Sequence, residues 1–341
     1  MTPNQNRRIV LNCRPVGEPM EQDFRLETVS VPGPAQGEML VKILWLSLDP
    51  YMRGRMNDVR SYARPVQLGE VMVGGTVSQV VESNIPEYSA GDIVCAHHGW
   101  QEYAIARPGK ATVKVDPRLA PVSTAVGVLG MPGQTAYFGL LRVGRPQPGE
   151  TVVVSAAAGA VGSAVGQIAK IHGCRAVGVA GGPKKCDHVV NELGFDACVD
   201  YKAGHLKEDL AAACPDGIDV YFENVGGPVL DAVIPLLNDG ARVPICGFIS
   251  AYNQVEYDPG KTPLGVLGAL PKPPEHRFFL VSEWIEEFPE AIAQMARWLH
   301  AGKLKYRETI VTGLENAPRA FLGLLRGENL GKQLVKVADP D

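Results

Sequence analysis

A short segment, AAAGAVG at residues 156–162, has the residue types needed to hold a phosphate group. It follows the valine-rich run TVVVS and precedes SAVGQIAKIHG, which has helical character. A strand, a tight turn and a helix in this order present free backbone N–H groups and the positive end of a helix dipole. We predict that Gly159 lets the backbone approach a pyrophosphate and that Gly162 lets the helix pack closely on the strand. A plain βα turn that uses glycine only for packing is the alternative.

The segment departs from the G-x-G-x-x-G pattern at one position. Ala157 stands where that pattern has its first glycine. Alanine is tolerated there if the backbone does not need a positive φ. Ala158, Ala160 and Val161 complete the predicted phosphate-binding turn.

The end of the next predicted strand indicates which dinucleotide would bind. NAD enzymes usually place a carboxylate there for the ribose 2′-hydroxyl, but this strand ends VAGGPKK. Gly181 leaves room, and Lys184 and Lys185 offer positive charge for a 2′-phosphate. Tyr201, after the strand ACVD, could stack on or bond the adenosine end. The sequence therefore favours NADP(H) over NAD(H), although the lysines could also be an ordinary solvated helix start.

Ligands in open α/β sheets bind beyond the carboxyl ends of the strands. That rule selects two further groups of residues. One follows the strand IDVYFE and the other follows RVPI: Asn224 and Val225; Cys246, Gly247, Phe248, Ile249, Ser250 and Tyr252. Asn224 could equally be a turn residue of N-V-G-G.

The elements that must position these residues change in character along the chain. Up to about residue 125, EMLVKILWLSL, VMVGGTVSQVVES and DIVCAHHGWQEYAIA are typical of strands. Beyond that point strands alternate with helices, among them a predicted helix through VLDAVIPLLNDG, and this alternation predicts a parallel sheet. The final strand, KQLVKV, is expected to return to the N-terminal β domain. The predicted fold class is α/β, a doubly wound parallel sheet with a second, β-rich domain.

Composition limits the possible partners and compartment. The 341 residues carry a net charge of -4 without long charged blocks, which argues against nucleic acid as the main partner. No signal peptide and no membrane-spanning run of about 18 apolar residues is present. Seven cysteines without a C-x-x-C pair indicate reduced thiols and no structural zinc lobe. These features predict a soluble, cytoplasmic protein.

Eight stretches together resemble the zinc-free double-bond reductases of the medium-chain dehydrogenase/reductase superfamily, among them curcumin, prostaglandin and alkenal reductases. They are LSLDPYMRGRM, VMVGGTVSQVVES, GVLGMPGQTAYFGLL, AAAGAVGSAVGQIAK, GVAGGPKKC, YFENVGG, ICGFISAYN and GLENAPRAFLGLLRGENLGKQLVKV. The resemblance implies a GroES-like catalytic domain at 1–125 and 303–341 and a Rossmann NADPH-binding domain at 126–302. It also implies a homodimer.

The resemblance implies roles for individual residues. Lys185 and Tyr201 would hold the 2′-phosphate. Further contacts to NADPH would come from Met131, Thr135, Asn224, Cys246, Ser250, Phe279, Leu280 and Asn329. Tyr252 would lie near the reacting double bond, and Tyr51 and Tyr62 fall in the segment that faces substrate. Phe279 would also contact the substrate. One stretch departs from the family pattern: PKPPEHRFFLV is rich in proline and has Phe278 where relatives carry glycine.

The chemistry follows from the residues that are missing as well as those present. The G-H-E element of zinc alcohol dehydrogenases is absent, and adjacent His97 and His98 would face opposite sides of a strand. Without a metal, hydride addition to the β-carbon of an α,β-unsaturated ketone or aldehyde is the predicted reaction. Tyr252 or Tyr51 would hydrogen-bond the enolate oxygen or protonate the α-carbon. An NADPH quinone reductase and a non-catalytic NADPH-binding protein remain as alternatives.

Overall fold

The computed structural model describes residues 4–59, 61–109, 112–256 and 258–341. The chain divides into two compact units. The terminal unit comprises the residues up to Gly127 together with Glu308–Asp341, and the central unit is Val128–Arg307. Each unit buries hydrophobic side chains of its own.

The first part of the terminal unit consists mainly of strands. In chain order its elements are β1 (Gln5–Leu11), β2 (Phe24–Ser30), β3 (Met39–Ser47), α1 (Tyr51–Arg55), β4 (Thr76–Ser83), β5 (Ile93–Ala96), β6 (Tyr103–Ala106) and β7 (Val113–Lys114). β3 confirms the strand predicted over EMLVKILWLSL. The other two predicted strands are shorter than expected. In VMVGGTVSQVVES, Gly74 precedes β4, and a Cβ there would lie 2.7 Å from the Leu46 side chain. In DIVCAHHGWQEYAIA, fully buried Trp100 separates β5 from β6.

The central unit alternates helices and strands. Its elements are α2 (Met131–Phe138), β8 (Thr151–Ser155), α3 (Ala160–Ile171), β9 (Arg175–Ala180), α4 (Pro183–Asp187), β10 (Ala197–Asp200), α5 (Leu206–Ala213), β11 (Ile218–Phe222), α6 (Gly227–Val233), β12 (Leu237–Ile245), α7 (Pro263–Gly268), β13 (Glu275–Phe278) and α8 (Phe288–His300). The helix predicted through VLDAVIPLLNDG is wrong in its second half. The side-chain amide of Asn238 donates hydrogen bonds to the Asp216 carbonyl and the Asp219 carboxylate. The chain from Leu237 onward pairs with β11 as a strand.

The C-terminal segment joins the N-terminal sheet. It forms β14 (Glu308–Thr312), α9 (Ala317–Leu325) and β15 (Lys332–Lys336). β15 pairs parallel with β14 and antiparallel with β3. The expectation that KQLVKV returns to the N-terminal β domain is therefore confirmed.

Strand order identifies the architecture of each unit. The central sheet is parallel, in the order β10-β9-β8-β11-β12-β13. Numbered within the unit, this is the 3-2-1-4-5-6 order of a doubly wound dinucleotide-binding sheet. The terminal sheet has the order β14-β15-β3-β4-β5-β7, with β6 paired to β3, and is mainly antiparallel. The predicted fold class is thus confirmed.

The unusual PKPPEHRFFLV stretch forms an ordinary edge strand. Glu275–Phe278 pairs in register with Arg242–Ile245 of β12. All three prolines of the segment precede the strand, so they remove no hydrogen bond from it. Phe278 ends the strand with 38% of its surface exposed. Within the described ranges, none of the helices combines the length and apolar character that crossing a bilayer would need.

Candidate active site

The turn between β8 and α3 shows why Ala157 replaces a glycine. Ala156, not Ala157, has the positive φ, at 53°. Ala157 is fully buried, and its Cβ would lie 2.7 Å from a Cβ at Gly178 on neighbouring β9. The Ala157 methyl group therefore occupies the space that Gly178 leaves open, and the missing glycine requires no strained backbone at 157.

The two remaining glycines of the turn bring α3 close to β8. Gly159 is the N-cap of α3 in an extended conformation, without a side-chain cap. A Cβ on Gly162 would lie 2.4 Å from the Ala156 carbonyl oxygen, so no larger residue fits there. The N–H groups in the first turn of a helix have no intrahelical acceptor. Ala158 in this turn is buried. Ala160 and Val161 provide the first N–H groups of the helix.

Residues that follow β9 and β10 form a second cluster, which is positively charged. A Cβ on Gly181 would lie 2.8 Å from the Tyr201 ring, so the ring lies directly over the Gly181 backbone. Lys185 lies on α4, and its pKa is lowered by burial and by the charge of Lys202. Lys202 holds its Nζ 5.8 Å from the centre of the Tyr201 ring. The structure thus brings the predicted Lys185 and Tyr201 together with Lys202, which the sequence analysis did not select.

A buried carboxylate organises the end of β11 and was also missed. Glu223 is fully buried, and its Oε1 accepts from the Ser155 and Tyr221 hydroxyls and from the N–H groups of Val225 and Gly226. Burial raises the pKa of the Glu223 carboxyl. Its Oε2 is buried without a hydrogen-bond partner in the described part of the chain. Its place before Asn224 at a strand end was the only signal in the sequence.

Asn224 links the ends of two strands. Its backbone N–H donates to Ser155 Oγ and its side-chain amide donates to the Ser155 carbonyl, both at 2.8 Å. Ser155 is the last residue of β8, and its hydroxyl in turn donates to Glu223. Asn224 is therefore fixed next to the β8–α3 turn and is more than a turn residue of N-V-G-G.

The segment after β12 folds back over the same strand ends. The N–H groups of Ile249 and Ser250 donate to the carbonyls of Asn224 and Val225 at 3.1 Å, and the Ser250 hydroxyl donates to Val225 as well. Burial raises the pKa of the Cys246 thiol to about 12, so at neutral pH it is a neutral packing group. These bonds fix the position of the segment that carries Gly247, Phe248 and Tyr252.

Tyr252 covers the end of β12. A Cβ on Gly247 would lie 2.7 Å from the Tyr252 hydroxyl oxygen. The Phe248 ring packs edge-on against the Tyr252 ring at 5.7 Å. A larger residue at Gly247 would displace the hydroxyl, so this glycine and Phe248 together set its position.

The remaining predicted residues of the central unit lie on α2 and after β13. The Thr135 hydroxyl donates to the Met131 carbonyl at 2.7 Å in the first turn of α2. Phe279 is only 3% exposed, and its ring packs against Phe222 and Trp284. Its side chain therefore belongs to the core here, and a contact of Phe279 or Leu280 with a ligand stays a prediction.

Three predicted residues belong to the terminal unit. Tyr51 begins α1, and burial together with the Asp49 carboxylate and Tyr62 raises the pKa of its hydroxyl. Tyr62 is 56% exposed. Asn329 is buried and donates to the Gly331 carbonyl at 2.7 Å, in a groove of about 440 Å³ within this unit. The structure places Tyr51 near Tyr62, and neither tyrosine lines the groove that contains Asn329.

The two adjacent histidines do not form a metal site in the structure. His98 Nδ1 lies 2.9 Å from the Thr76 hydroxyl and 3.2 Å from that of Ser78. Burial and the neighbouring His97 lower the pKa of His98 to about 4. No group of three His, Cys, Asp or Glu side chains suited to a metal occurs among the residues that the structure describes.

The carboxyl edge of the central sheet, where β8–β13 end, fits a phosphorylated dinucleotide. The β8–α3 turn is shaped by Gly162, which a Cβ would fill, and it offers uncapped N–H groups for a pyrophosphate. β9 ends at Ala180 without a carboxylate, and Lys185 and Lys202 lie near that end. This donor set matches a coenzyme with an additional phosphate on its adenosine ribose.

Comparisons with known proteins agree with this geometry. Residues 7–115 match the family model "N-terminal domain of oxidoreductase", and residues 160–297 match "Zinc-binding dehydrogenase". The chain is 51% identical over 340 residues to the NADPH-dependent curcumin reductase of Escherichia coli, covering 99% of this chain and 98% of that protein. It is 40% identical to the NADP(+)-dependent 2-alkenal reductase of Nicotiana tabacum, covering 98% of each chain.

A solved structure gives the same result at the level of the fold. CurA from Vibrio vulnificus, determined in complex with NADPH, superimposes with a TM-score of 0.93 at 51% identity. The match covers 98% of this chain and 100% of that chain. The chain therefore belongs to the medium-chain dehydrogenase/reductase family, in the group that contains the curcumin, alkenal and prostaglandin reductases.

Proposed function

We propose that the protein uses NADPH to reduce the carbon–carbon double bond of α,β-unsaturated ketones and aldehydes. One observation carries this proposal. The carboxyl edge of the central sheet holds both the β8–α3 turn, with its uncapped N–H groups, and the Tyr252 hydroxyl, which lies over Gly247. The reductase relatives, named for curcumin, 2-alkenals and prostaglandins, support this reaction class.

The coenzyme is bound in this proposal by backbone groups at one end and by lysines at the other. The N–H groups of Ala160 and Val161 receive the pyrophosphate, and Lys185 and Tyr201 receive the 2′-phosphate. Met131 and Thr135 line the nicotinamide. Further contacts to NADPH come from Asn224, Ser250, Asn329 and the half-buried Cys246. When bound, NADPH supplies the hydride for the β-carbon of the substrate.

Tyrosine hydroxyls donate a hydrogen bond to the substrate oxygen and a proton to the α-carbon. As the double bond is reduced, negative charge develops on the carbonyl oxygen, and a hydrogen-bond donor aimed there stabilises it. We assign this donor to Tyr252, which also delivers the α-carbon proton directly or through water. Tyr51 is the second candidate: its raised pKa keeps the hydroxyl protonated and able to donate. Tyr62 contributes to the substrate rim.

We infer that the enzyme needs no zinc. The Nδ1 atom of His98 is engaged by two hydroxyls, and the described residues contain no three-ligand cluster. A cytoplasmic location is supported by seven free cysteines. The net charge of -4 disfavours nucleic acid as a partner. A homodimer is supported by the half-exposed end of β13, an edge strand able to pair with another copy.

A substrate panel tests the proposal. The purified protein is mixed with a linear enone, an enal and a quinone in turn, and coenzyme absorbance is followed with NADPH or NADH. We expect consumption of the enone and enal, faster with NADPH, and no change after dialysis against a chelator. Turnover of the quinone alone would instead identify a quinone reductase. Binding of NADPH without turnover of any substrate would identify a non-catalytic binding protein.

A further inference from the structure

The Asp200 carboxylate joins the two turns that carry the lysines. Its Oδ1 accepts from the Gly182 N–H at 2.7 Å and from the Lys202 N–H at 2.9 Å. Gly182 precedes α4, which carries Lys185, and Lys202 follows β10. One carboxylate oxygen thus fixes the distance between the turn after β9 and the turn after β10.

Tyr201 contacts the backbone of the turn after β9. Its N–H donates to the Ala180 carbonyl at 3.0 Å, and its ring lies over Gly181. Lys202 holds its Nζ 5.8 Å from the ring centre. The ammonium group of Lys202 therefore lies at the surface beside the Tyr201 ring.

Two lysines near each other are unfavourable in the absence of an anion. Burial lowers the pKa of Lys185, and repulsion by the nearby charge of Lys202 lowers it further. A doubly negative phosphate placed near both would replace this repulsion by two attractions.

We propose that Lys202 is a second cationic ligand of the coenzyme 2′-phosphate and that Asp200 is a positioning residue for both lysine-bearing turns. This inference rests on the proposed function. Asp200 differs from the carboxylate of NAD enzymes because it ends β10 and not β9. Its Oδ1 is already engaged by two N–H groups, so it acts on the phosphate through the backbone that it holds.

Binding of a coenzyme fragment tests Lys202 without catalysis. Calorimetry would compare adenosine 2′,5′-bisphosphate with adenosine 5′-monophosphate, which differ only in the 2′-phosphate. Lys202→Ala should weaken binding of the bisphosphate about tenfold and that of the monophosphate less than about twofold. Lys207→Ala, which removes the same charge from an exposed site five residues later, serves as the control and should change neither.

Two substitutions of Asp200 separate its hydrogen bonds from its charge. Asp200→Asn keeps an acceptor oxygen, so the KM for NADPH should stay within about twofold of the original. Asp200→Ala releases both turns, and the KM for NADPH should rise about tenfold while the KM for NADH changes little. A purely structural role would instead raise both KM values together.

The outcomes separate this inference from the proposed function. If the unmodified protein prefers NADPH and reduces enones but Lys202→Ala binds the bisphosphate as before, the role of Lys202 is overturned and the function stands. Equal KM changes for NADPH and NADH in Asp200→Ala would overturn the positioning role. If the unmodified protein binds both adenosine nucleotides equally, the proposed coenzyme itself is wrong.

Discussion

The Tyr252 hydroxyl is held over the end of β12 by Gly247 beneath it and Phe248 beside it. If it stabilises the developing enolate, Tyr252→Phe should lower kcat for an enone about 100-fold, because one decisive donor is lost. The KM for NADPH should be unchanged. Steady-state kinetics on a linear enone would measure this.

Tyr88→Phe provides a matched control in the terminal unit, where Tyr88 packs under Lys114. It should retain full turnover. Unchanged kcat in Tyr252→Phe would remove Tyr252 from the chemistry and leave Tyr51 as the candidate donor.

His98 makes a second prediction, about pH. Burial lowers the pKa of His98 from 6.5 to about 4. Between these two pH values the side chain is neutral in the folded protein, whereas in the unfolded chain it binds a proton. Its contribution to stability is therefore complete above pH 6.5 and is lost as the pH falls toward 4, up to about 3 kcal/mol.

In His98→Gln, which cannot take up this proton, the free energy of unfolding should fall less on acidification than in the unmodified protein. Denaturant titrations at several pH values would show it. The exposed His205→Gln serves as the comparison. Parallel acid sensitivity in His98→Gln and the unmodified protein would contradict the assignment.

At the residue scale, the sequence could select candidate site residues where they directly follow a predicted strand. Lys185, Tyr201 and Asn224 could be selected because parallel strands end at one edge. Lys202 and Glu223 could not, because their roles depend on contacts between strands that are distant in the chain. A lysine in a turn and a glutamate in a strand have no pattern that separates them from solvated or edge residues.

At the scale of the element, the β8–α3 turn shows how a motif can lose a glycine. The strained φ lies at exposed Ala156, while the Ala157 methyl fills the space over Gly178. Ala156→Gly should therefore stabilise the protein by about 0.5–1 kcal/mol, because relief of the left-handed backbone outweighs the freedom that glycine adds to the unfolded chain.

Ala157→Gly should have the opposite effect. It removes a buried methyl group and adds freedom to the unfolded chain, so it should destabilise by about 1 kcal/mol or more. Chemical denaturation of the two variants side by side would measure both. Equal effects of the two substitutions would contradict this account of the turn.

Periodicity predicted α3 and β3 well, because each has a clear pattern and a defined end. It failed at β12, where the apolar residues of VLDAVIPLLNDG continue a helical pattern into a strand. The pairing of Leu237 with Ile218 and the bonds of Asn238 decide that segment, and both are tertiary contacts. Local propensity cannot detect them.

At the scale of the whole molecule, the candidate site residues are divided between the two units. The central unit carries the β8–α3 turn, Lys185, Lys202 and Tyr252, whereas Tyr51, Tyr62 and Asn329 belong to the terminal unit. The fold class and the family could be predicted from the sequence because the motifs extend along almost the whole chain. The substrate could not, since the shape of its pocket depends on loops without a sequence pattern.

The position of hydride addition tests the central claim most directly. A linear enone is reduced with NADPH that carries deuterium at the transferable position, and the product is examined by mass spectrometry and NMR. We expect one deuterium on the β-carbon and a solvent proton on the α-carbon of a saturated ketone. Deuterium on the carbonyl carbon of an allylic alcohol, or a product without label, would contradict the assignment of this protein as a double-bond reductase.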